Sequence, residues 1–193
     1  MRFNTLLVAF FLSLLSFFVV SGAARAEALP PTGLYTAELV NLEPGFPRFT
    51  TVPVRLWIDS WTPADRAQGL VDLLRGQGAT AFADALWRHE IGRLQIDGRL
   101  GLPIAAAFPI HEAGRDRLVL ILNRPIAPWE FWRFARSLDY RFTVLELDLG
   151  ADGQGSGSMV GAAKLHVDKD SKLVVTSLGN LPLRLLTVRR AAI

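Results

Sequence analysis

Histidine is the residue type most often used for metal ligation or acid–base catalysis, and this chain has three. Residues 89–93 (HEIGR) and 111–115 (HEAGR) both open with the His-Glu pair of a zinc-protease helix. That motif requires a second histidine at its fifth position, and both segments have arginine there. The third histidine, His166, alternates with Lys164 and Asp168, so it is predicted to lie on the solvent face of a strand. The sequence therefore predicts no metal site.

Other common catalytic arrangements are also missing from the sequence. The chain has no cysteine and no serine in a Gly-x-Ser-x-Gly turn, which weakens two common hydrolase mechanisms. The glycines at 153, 155 and 157 do not lead from a strand into a helix, so they do not predict a phosphate-binding loop. Residues 148–153 (DLGADG) fit a hairpin turn better than a calcium loop. We expect neither a catalytic residue set nor a cofactor.

Pairs of carboxylates offer a further enzymatic chemistry. Asp139 with Glu146, or Asp59 with Glu130, would suit glycoside hydrolysis if the fold held them at the required separation. Sequence spacing does not fix that separation, so the possibility stays open. Convergence of Asp59, Glu130 and Asp139 in a cleft lined by tryptophan would favour an enzyme, whereas scattered carboxylates would favour a binding domain.

The tryptophans are clustered beside charged residues. Trp57 and Trp61 flank Asp59, and the Pro-bearing segment 124–140 holds two more tryptophans three residues apart. An indole offers a large apolar face and one hydrogen-bond donor, which suits a sugar, a lipid or a protein interface. The alternative is that these rings cover the sheet beneath helices, since tryptophan is highly buried on average. The binding residues that this pattern predicts are Trp61, Trp129, Glu130, Trp132, Arg133 and Asp139, with Trp129 and Trp132 at least partly exposed.

Residues 1–26 have the form of a signal peptide. Arg2 gives a positive start, residues 6–20 (LLVAFFLSLLSFFVV) are almost entirely apolar, and Ala24 and Ala26 are the small residues that signal peptidase requires. We predict cleavage after Ala26 and export to the periplasm or the medium. The alternative is an uncleaved anchor, because the apolar stretch nearly reaches the ~20 residues that span a bilayer. A membrane association is expected only in that case.

The following segment, residues 27–193, is long enough for one domain that folds without disulfides. Two of the 21 basic side chains and none of the 18 acidic ones lie in residues 1–26, so the exported part is nearly neutral. A nucleic-acid partner would require a clustered positive excess. We therefore expect no nucleic-acid binding.

Strand patterns dominate this domain. In residues 51–59, alternate apolar side chains from Val52 to Ile58 share one face, which should meet the core. Residues 118–122 are apolar on both faces, which is typical of a central strand between the sheet interior and covering helices. The predicted strands are 33–41, 51–59, 91–97, 102–111, 117–124, 142–149, 157–167, 172–178 and 181–189.

A helical pattern interrupts the strands after the second one. Thr62 is predicted to cap a first helix, with Pro63 at its first position and Asp65 reaching back to the cap. A Gly-rich turn at 76–78 separates it from a second helix that begins near Thr80. The fold class is therefore α+β, mainly an antiparallel β-barrel or sandwich with a two-helix insertion after the second strand.

Several short strings from the exported part suggest a relationship to other proteins. They are residues 58–66 (IDSWTPADR), 124–130 (RPIAPWE), 137–147 (SLDYRFTVLEL), 153–159 (GQGSGSM) and 182–185 (PLRL). In these strings the chain resembles a group of uncharacterised exported bacterial proteins, and the resemblance is weakest over residues 92–117. It implies export and a shared fold. It implies no activity, so no catalytic or binding residue follows from it.

Two classes of function remain. The first is an exported non-enzymatic binding or structural domain whose partner is a protein, an envelope component or a small apolar ligand, held on the sheet face or in the barrel. The alternative is a carboxylate-dependent hydrolase that acts on an extracytoplasmic substrate such as a glycan. We expect the first, because it requires no residue that the sequence lacks.

Overall fold

A computed structural model describes residues 10–11, 29–40, 51–112, 114–126, 140–169, 173–177 and 182–191. These residues form eleven strands and one helix. The elements are β1 (Phe10–Phe11), β2 (Gly33–Val40), β3 (Val52–Ile58), α1 (Ala64–Leu86), β4 (Gly92–Ile96), β5 (Leu102–Ile104), β6 (Ala106–Glu112), β7 (Arg115–Leu122), β8 (Phe142–Leu149), β9 (Gln154–Val167), β10 (Leu173–Ser177) and β11 (Leu183–Arg190).

The strands form one antiparallel sheet that curls into a nearly closed barrel. Nine strands follow one another in the order β5-β4-β3-β2-β11-β9-β8-β7-β6. The last half of β9 pairs instead with β10, and β10 also pairs with β1 from the apolar N-terminal segment. The predicted predominance of antiparallel strands is confirmed. The turn predicted at Asp152 and Gly153 is also present, with Gly153 at a φ of 71°.

The barrel closes because one extended stretch contributes to both edges of the sheet. The single strand predicted at 102–111 is divided at Ala105: β5 pairs with β4, whereas β6 pairs with β7. At the division, the Ala105 amide donates a hydrogen bond to the Ile121 carbonyl at 2.8 Å. The stretch β5–β6 thus changes its pairing partner from β4 to β7. In a barrel of tilted strands, such a change joins one edge of the sheet to the other.

Thr62 completes this junction, which corrects the prediction that it caps the helix. Its hydroxyl accepts a hydrogen bond from the Ala107 amide at 2.9 Å, and its own amide donates to the Ala107 carbonyl at 2.9 Å. The helix therefore begins one residue later, with Pro63 at the cap position and no side-chain capping bond. Pairing with the edge of β6 that faces away from β7 satisfies the Ala107 amide and carbonyl, and it leaves the Thr62 hydroxyl with no part in the cap.

The sheet separates two apolar cores, as expected from the pattern of residues 118–122. Leu118, Leu120 and Leu122 point into the barrel, whereas Val119 and Ile121 point outward to α1, and all five are at most 1% exposed. The outer core is completed by the buried face of α1, including an edge-to-face contact of Phe82 with Phe142 at 5.5 Å. The buried residues of that helix face are Leu70, Leu74, Phe82, Ala83 and Leu86.

The helical insertion differs in detail from the prediction. Instead of two helices, one helix runs from Ala64 to Leu86, and its backbone leaves helical geometry at Gly78, where φ is 81° and ψ is −173°. The predicted Gly-rich turn is thus a kink, because glycine adopts positive φ without the strain that a Cβ would cause. Within the described parts of the chain, no helix is both long and apolar enough to cross a membrane.

Candidate functional site

Of the six binding residues predicted from the sequence, Trp61 is within the described part of the chain. Trp129, Glu130, Trp132, Arg133 and Asp139 lie outside the described residues. The strands that flank this segment are described, and β7 ends at the junction where the barrel closes. There the Ile121 carbonyl accepts a hydrogen bond from the Ala105 amide, and Ala107 bonds to Thr62, the neighbour of Trp61. The chain leaves β7 along a fixed path, since the Ile126 amide donates to the Gly161 carbonyl and to the Thr143 hydroxyl.

Trp61 fastens the N-terminal segment to the barrel. Its indole Nε1 donates to the Pro30 carbonyl at 2.9 Å, and its ring is partly buried against the barrel core. The next two carbonyls are held in the same way: that of Pro31 by the Tyr35 hydroxyl at 2.5 Å, and that of Thr32 by the Arg190 guanidinium at 3.1 Å. We call residues 30–32 the N-terminal strap. Trp61 therefore helps to hold the N-terminal strap against the barrel.

The histidines are not gathered into a cluster. His111 Nδ1 lies 2.8 Å from Asp116 Oδ1, His89 is exposed near the end of α1, and His166 is exposed on β9, as predicted. In the described residues there is no group of three side chains that could hold a metal ion.

Two acidic residues of β8 are engaged in ion pairs with β7. Arg115 Nε lies 2.7 Å from Asp148 Oδ1, and Arg117 Nε lies 3.3 Å from Glu146 Oε1. The hydrogen bond with Asp148, reinforced by its charge, raises the pKa of Arg115. Asp148 therefore belongs to a surface cross-strand pair beside a hairpin. Glu146, one of the carboxylates considered for hydrolysis, is held by an arginine, and its sequence-suggested partner Asp139 lies outside the described residues.

A pocket of about 380 Å³ opens on the outside of the barrel, and we call it the Trp57 pocket. It lies where β3, β4 and the start of β5 meet. Leu56 and Ile58 point into the barrel, so the alternate residue Trp57 faces outward, as the sequence pattern predicted. The residues that line the pocket are Trp57, Asp59, Arg93, Gln95 and Gly101.

Cross-strand pairing brings these residues together. Trp57 lies directly opposite Arg93 in the β3–β4 register, and the Asp59 amide donates to the Ile91 carbonyl at 2.9 Å, which fixes the end of β3 beside β4. Directly opposed residues have Cβ atoms about 5 Å apart, close enough for their side chains to form one surface. The indole and the guanidinium therefore line the same pocket.

The polar side chains of the pocket differ in how they are held. Arg93 Nε lies 2.5 Å from Glu90 Oε1, which fixes one side of the guanidinium. Gln95 Nε2 donates to the Arg99 carbonyl at 2.9 Å, which sets the orientation of the amide. Gln95 Oε1 is shielded from solvent and has no hydrogen-bond partner in the described residues. The pocket thus combines an aromatic ring, a carboxylate and a guanidinium, and beside them lies the shielded, unsatisfied amide oxygen of Gln95.

Sequence reasoning identified only part of this site. Trp57 and Asp59 stood out as an aromatic-acidic pair, but Arg93 was considered only as the residue that breaks a zinc motif. Gln95 and Gly101 carry no sequence signal, because their relation to Trp57 depends on the β3–β4–β5 pairing. A cross-strand register prediction would have been needed to find them.

Comparison with known proteins returned no matching family model, no matching curated protein and no matching solved structure. The function must therefore be inferred from the side chains of this chain.

Proposed function

We propose that the protein is an exported, non-enzymatic domain that binds a component of the cell envelope on the outer surface of its barrel. The observation that carries this proposal is the Trp57 pocket, which combines apolar and hydrogen-bonding groups on an outward-facing part of the sheet. Its lining is mostly polar around one aromatic ring, which suits a ligand that has both an apolar face and hydrogen-bonding groups.

The packing of the barrel favours an outer site over an inner one. Large side chains from every part of the sheet fill the interior, and Tyr35, Leu56, Leu94, Leu118 and Leu145 are each at most 1% exposed. A small apolar ligand inside the barrel would have to displace these side chains, at a cost comparable to overpacking a core. Of the partner classes considered from the sequence, an envelope component therefore fits better than an enclosed apolar ligand.

Export is supported by the sequence of residues 1–26. A positive start, an apolar core and small residues at Ala24 and Ala26 form a complete signal peptide. The resemblance to exported bacterial proteins points the same way. An envelope component is then a partner that the protein would meet in its own compartment.

The alternative, a glycan hydrolase, has one supporting feature. Asp59 is a carboxylate in a pocket that also holds a tryptophan, whereas a glycosidase requires two carboxylates across the scissile bond. In the described part of the chain, Asp59 is the only carboxylate that lines this pocket. The binding domain is preferred because it needs no second carboxylate.

The proposal is tested with protein recovered from the exported fraction of cells that make it. We expect an intact mass that begins after Ala26, native mass spectrometry without a retained apolar ligand, and co-sedimentation with purified envelope polymers. Those polymers should keep their length on prolonged incubation. Four results would each contradict a named part of the proposal. They are retention of residues 1–26 in the membrane, a stoichiometric small apolar ligand in the native spectrum, absence of co-sedimentation, and shortening of the polymers.

A further inference from the structure

We infer that the Trp57 pocket is a saccharide site that takes one ring of an uncharged glycan. This inference rests on the proposed function, because it names the chemistry of the ligand at the same pocket. Its residues come from β3, β4 and the turn before β5, so the sheet holds most of them in fixed positions.

The first argument is the aromatic platform. Trp57 is half-buried, directly opposite Arg93, and its ring forms part of the pocket wall. The C–H face of a pyranose ring is apolar and flat, so it can lie against an indole and remove apolar area from water. A flexible aliphatic chain would also contact the ring, but it would leave the neighbouring polar groups without partners.

The second argument is the arrangement of donors and acceptors. Asp59 offers acceptors, Arg93 offers donors, and Gln95 Oε1 is an acceptor that lacks a donor in the described residues. Because Gln95 Nε2 is committed to the Arg99 carbonyl, the amide cannot simply be turned over to satisfy itself. A sugar hydroxyl both donates and accepts, so adjacent hydroxyls can serve Asp59 and Arg93 directly, whereas Gln95 Oε1 is shielded and comes within reach only after its side chain shifts.

The third argument is the charge of the pocket. The negative Asp59 and the positive Arg93 both line it, and Arg93 is already paired with Glu90. The lining therefore has no positive excess for a phosphate or a carboxylate ligand. An uncharged sugar avoids both the repulsion from Asp59 and the competition with Glu90.

The fourth argument is the space beside Gly101. A Cβ added at this residue would make ordinary contacts of 3.5 and 3.6 Å with the aliphatic part of Arg93. Substitution is thus compatible with the fold, but it puts side-chain atoms into the pocket. The pocket is at the lower end of the range of roughly 300–1,000 Å³ for small-molecule sites, which suits one ring better than a long chain.

The experiment measures binding to the exported protein by calorimetry. The probes are uncharged mono- and trisaccharides of glucose, galactose, mannose and N-acetylglucosamine, with inorganic phosphate and an apolar tetrapeptide for comparison. We expect at least one saccharide to bind, with neither phosphate nor peptide competing. Trp57→Ala should weaken that binding about tenfold or more, as for an aromatic residue at the centre of a site. Gly101→Val should weaken it without a change in the circular dichroism spectrum.

Trp87→Ala is the matched control, since Trp87 is 67% exposed and does not line the pocket. It should bind saccharides as the unmodified protein does.

If Trp57→Ala fails to fold, Gly101→Val and Gln95→Leu decide whether the pocket binds the saccharide. Saccharide binding that these variants leave unchanged, or binding of phosphate or peptide alone, would overturn the inference. Co-sedimentation with envelope polymers that persists without any saccharide binding would overturn this inference and leave the proposed function standing. Absence of both saccharide binding and co-sedimentation would overturn both this inference and the proposed function.

Discussion

Thr62 and Ala107 are joined by two reciprocal hydrogen bonds, one from each backbone amide, although 45 residues separate them in the sequence. One of the two acceptors is the Thr62 side chain, and the residue is buried. The bonds tie the chain after β3 to the outer edge of β6, close to the point where the stretch β5–β6 changes neighbours. A single hydroxyl therefore contributes to the closure of the barrel.

Replacing this hydroxyl should destabilise the barrel. Thr62→Val keeps the shape of the side chain but leaves the Ala107 amide without an acceptor, so we expect a loss of about 1–3 kcal/mol in the free energy of unfolding. Thr62→Ser keeps the acceptor and should lose much less. Urea denaturation measures both.

Thr62→Asp separates this role from helix capping. Aspartate is a strong N-cap, so it would preserve the stability of the protein if residue 62 were a true cap. A buried carboxylate at the junction with Ala107 should instead destabilise the protein. A stable Thr62→Asp variant would restore the capping interpretation.

Gly92 should not tolerate a side chain. A Cβ at this position would lie 2.1 Å from the Trp57 carbonyl oxygen, and that atom is fixed by the β3–β4 pairing. Gly92→Ala should therefore cost about 1–3 kcal/mol or more, as overpacking does when the obstacle is backbone. Thermal denaturation measures the loss.

Gly69→Ala provides the matched control for that substitution. Gly69 is exposed within α1, and a Cβ there would meet no atom within 4 Å beyond the backbone of its own helical turns. This variant should gain up to about 1 kcal/mol from the higher helix propensity of alanine. Equal effects of the two substitutions would contradict the close approach of β3 and β4 at Gly92.

Local patterns in the sequence account for the strands and for the two faces of β7. Alternation of apolar residues such as Val54 and Leu56 reports which face is buried, because the side-chain period of a strand is two. The division at Ala105 and the role of Thr62 could not be predicted in this way, since both depend on which distant strands become neighbours. The same limit applies to the Trp57 pocket: Trp57 and Arg93 are 36 positions apart, and only the β3–β4 register places them opposite each other.

Tyr35 should make the protein sensitive to alkaline pH. Burial raises the pKa of its hydroxyl above the ordinary value of 10.0, an effect that the charge of Arg190 partly offsets and that of Asp116 reinforces. The folded state therefore holds this proton more tightly than the unfolded state does. The resulting stabilisation is fully present below about pH 10 and is lost as the pH rises through the raised pKa.

Tyr35→Phe should test that dependence. The variant loses the hydrogen bond to the Pro31 carbonyl, so we expect it to be about 1 kcal/mol less stable at neutral pH. Its stability should fall less steeply in alkaline solution, because the ionisable hydroxyl is gone. Urea denaturation from neutral to alkaline pH measures both effects, with Tyr140→Phe as the control for a half-buried tyrosine. Parallel curves for Tyr35→Phe and the unmodified protein would show that Tyr35 does not cause the alkaline loss.

Trp61 should prove to be a structural residue that is separate from the ligand site. It is one of three side chains, with Tyr35 and Arg190, that donate to successive carbonyls of the N-terminal strap. Trp61→Phe keeps most of the ring but removes the donor to the Pro30 carbonyl, and Pro30 is buried. A buried carbonyl left without its partner should lower the free energy of unfolding by about 1–3 kcal/mol. The loss should be accompanied by faster amide exchange at Thr32 and Gly33, because the strap is then held at two points instead of three.

Envelope binding per folded molecule should stay unchanged in Trp61→Phe, since Trp61 does not line the Trp57 pocket. A Trp61→Phe variant with normal stability and weakened envelope binding would instead make Trp61 part of the binding surface that the sequence predicted.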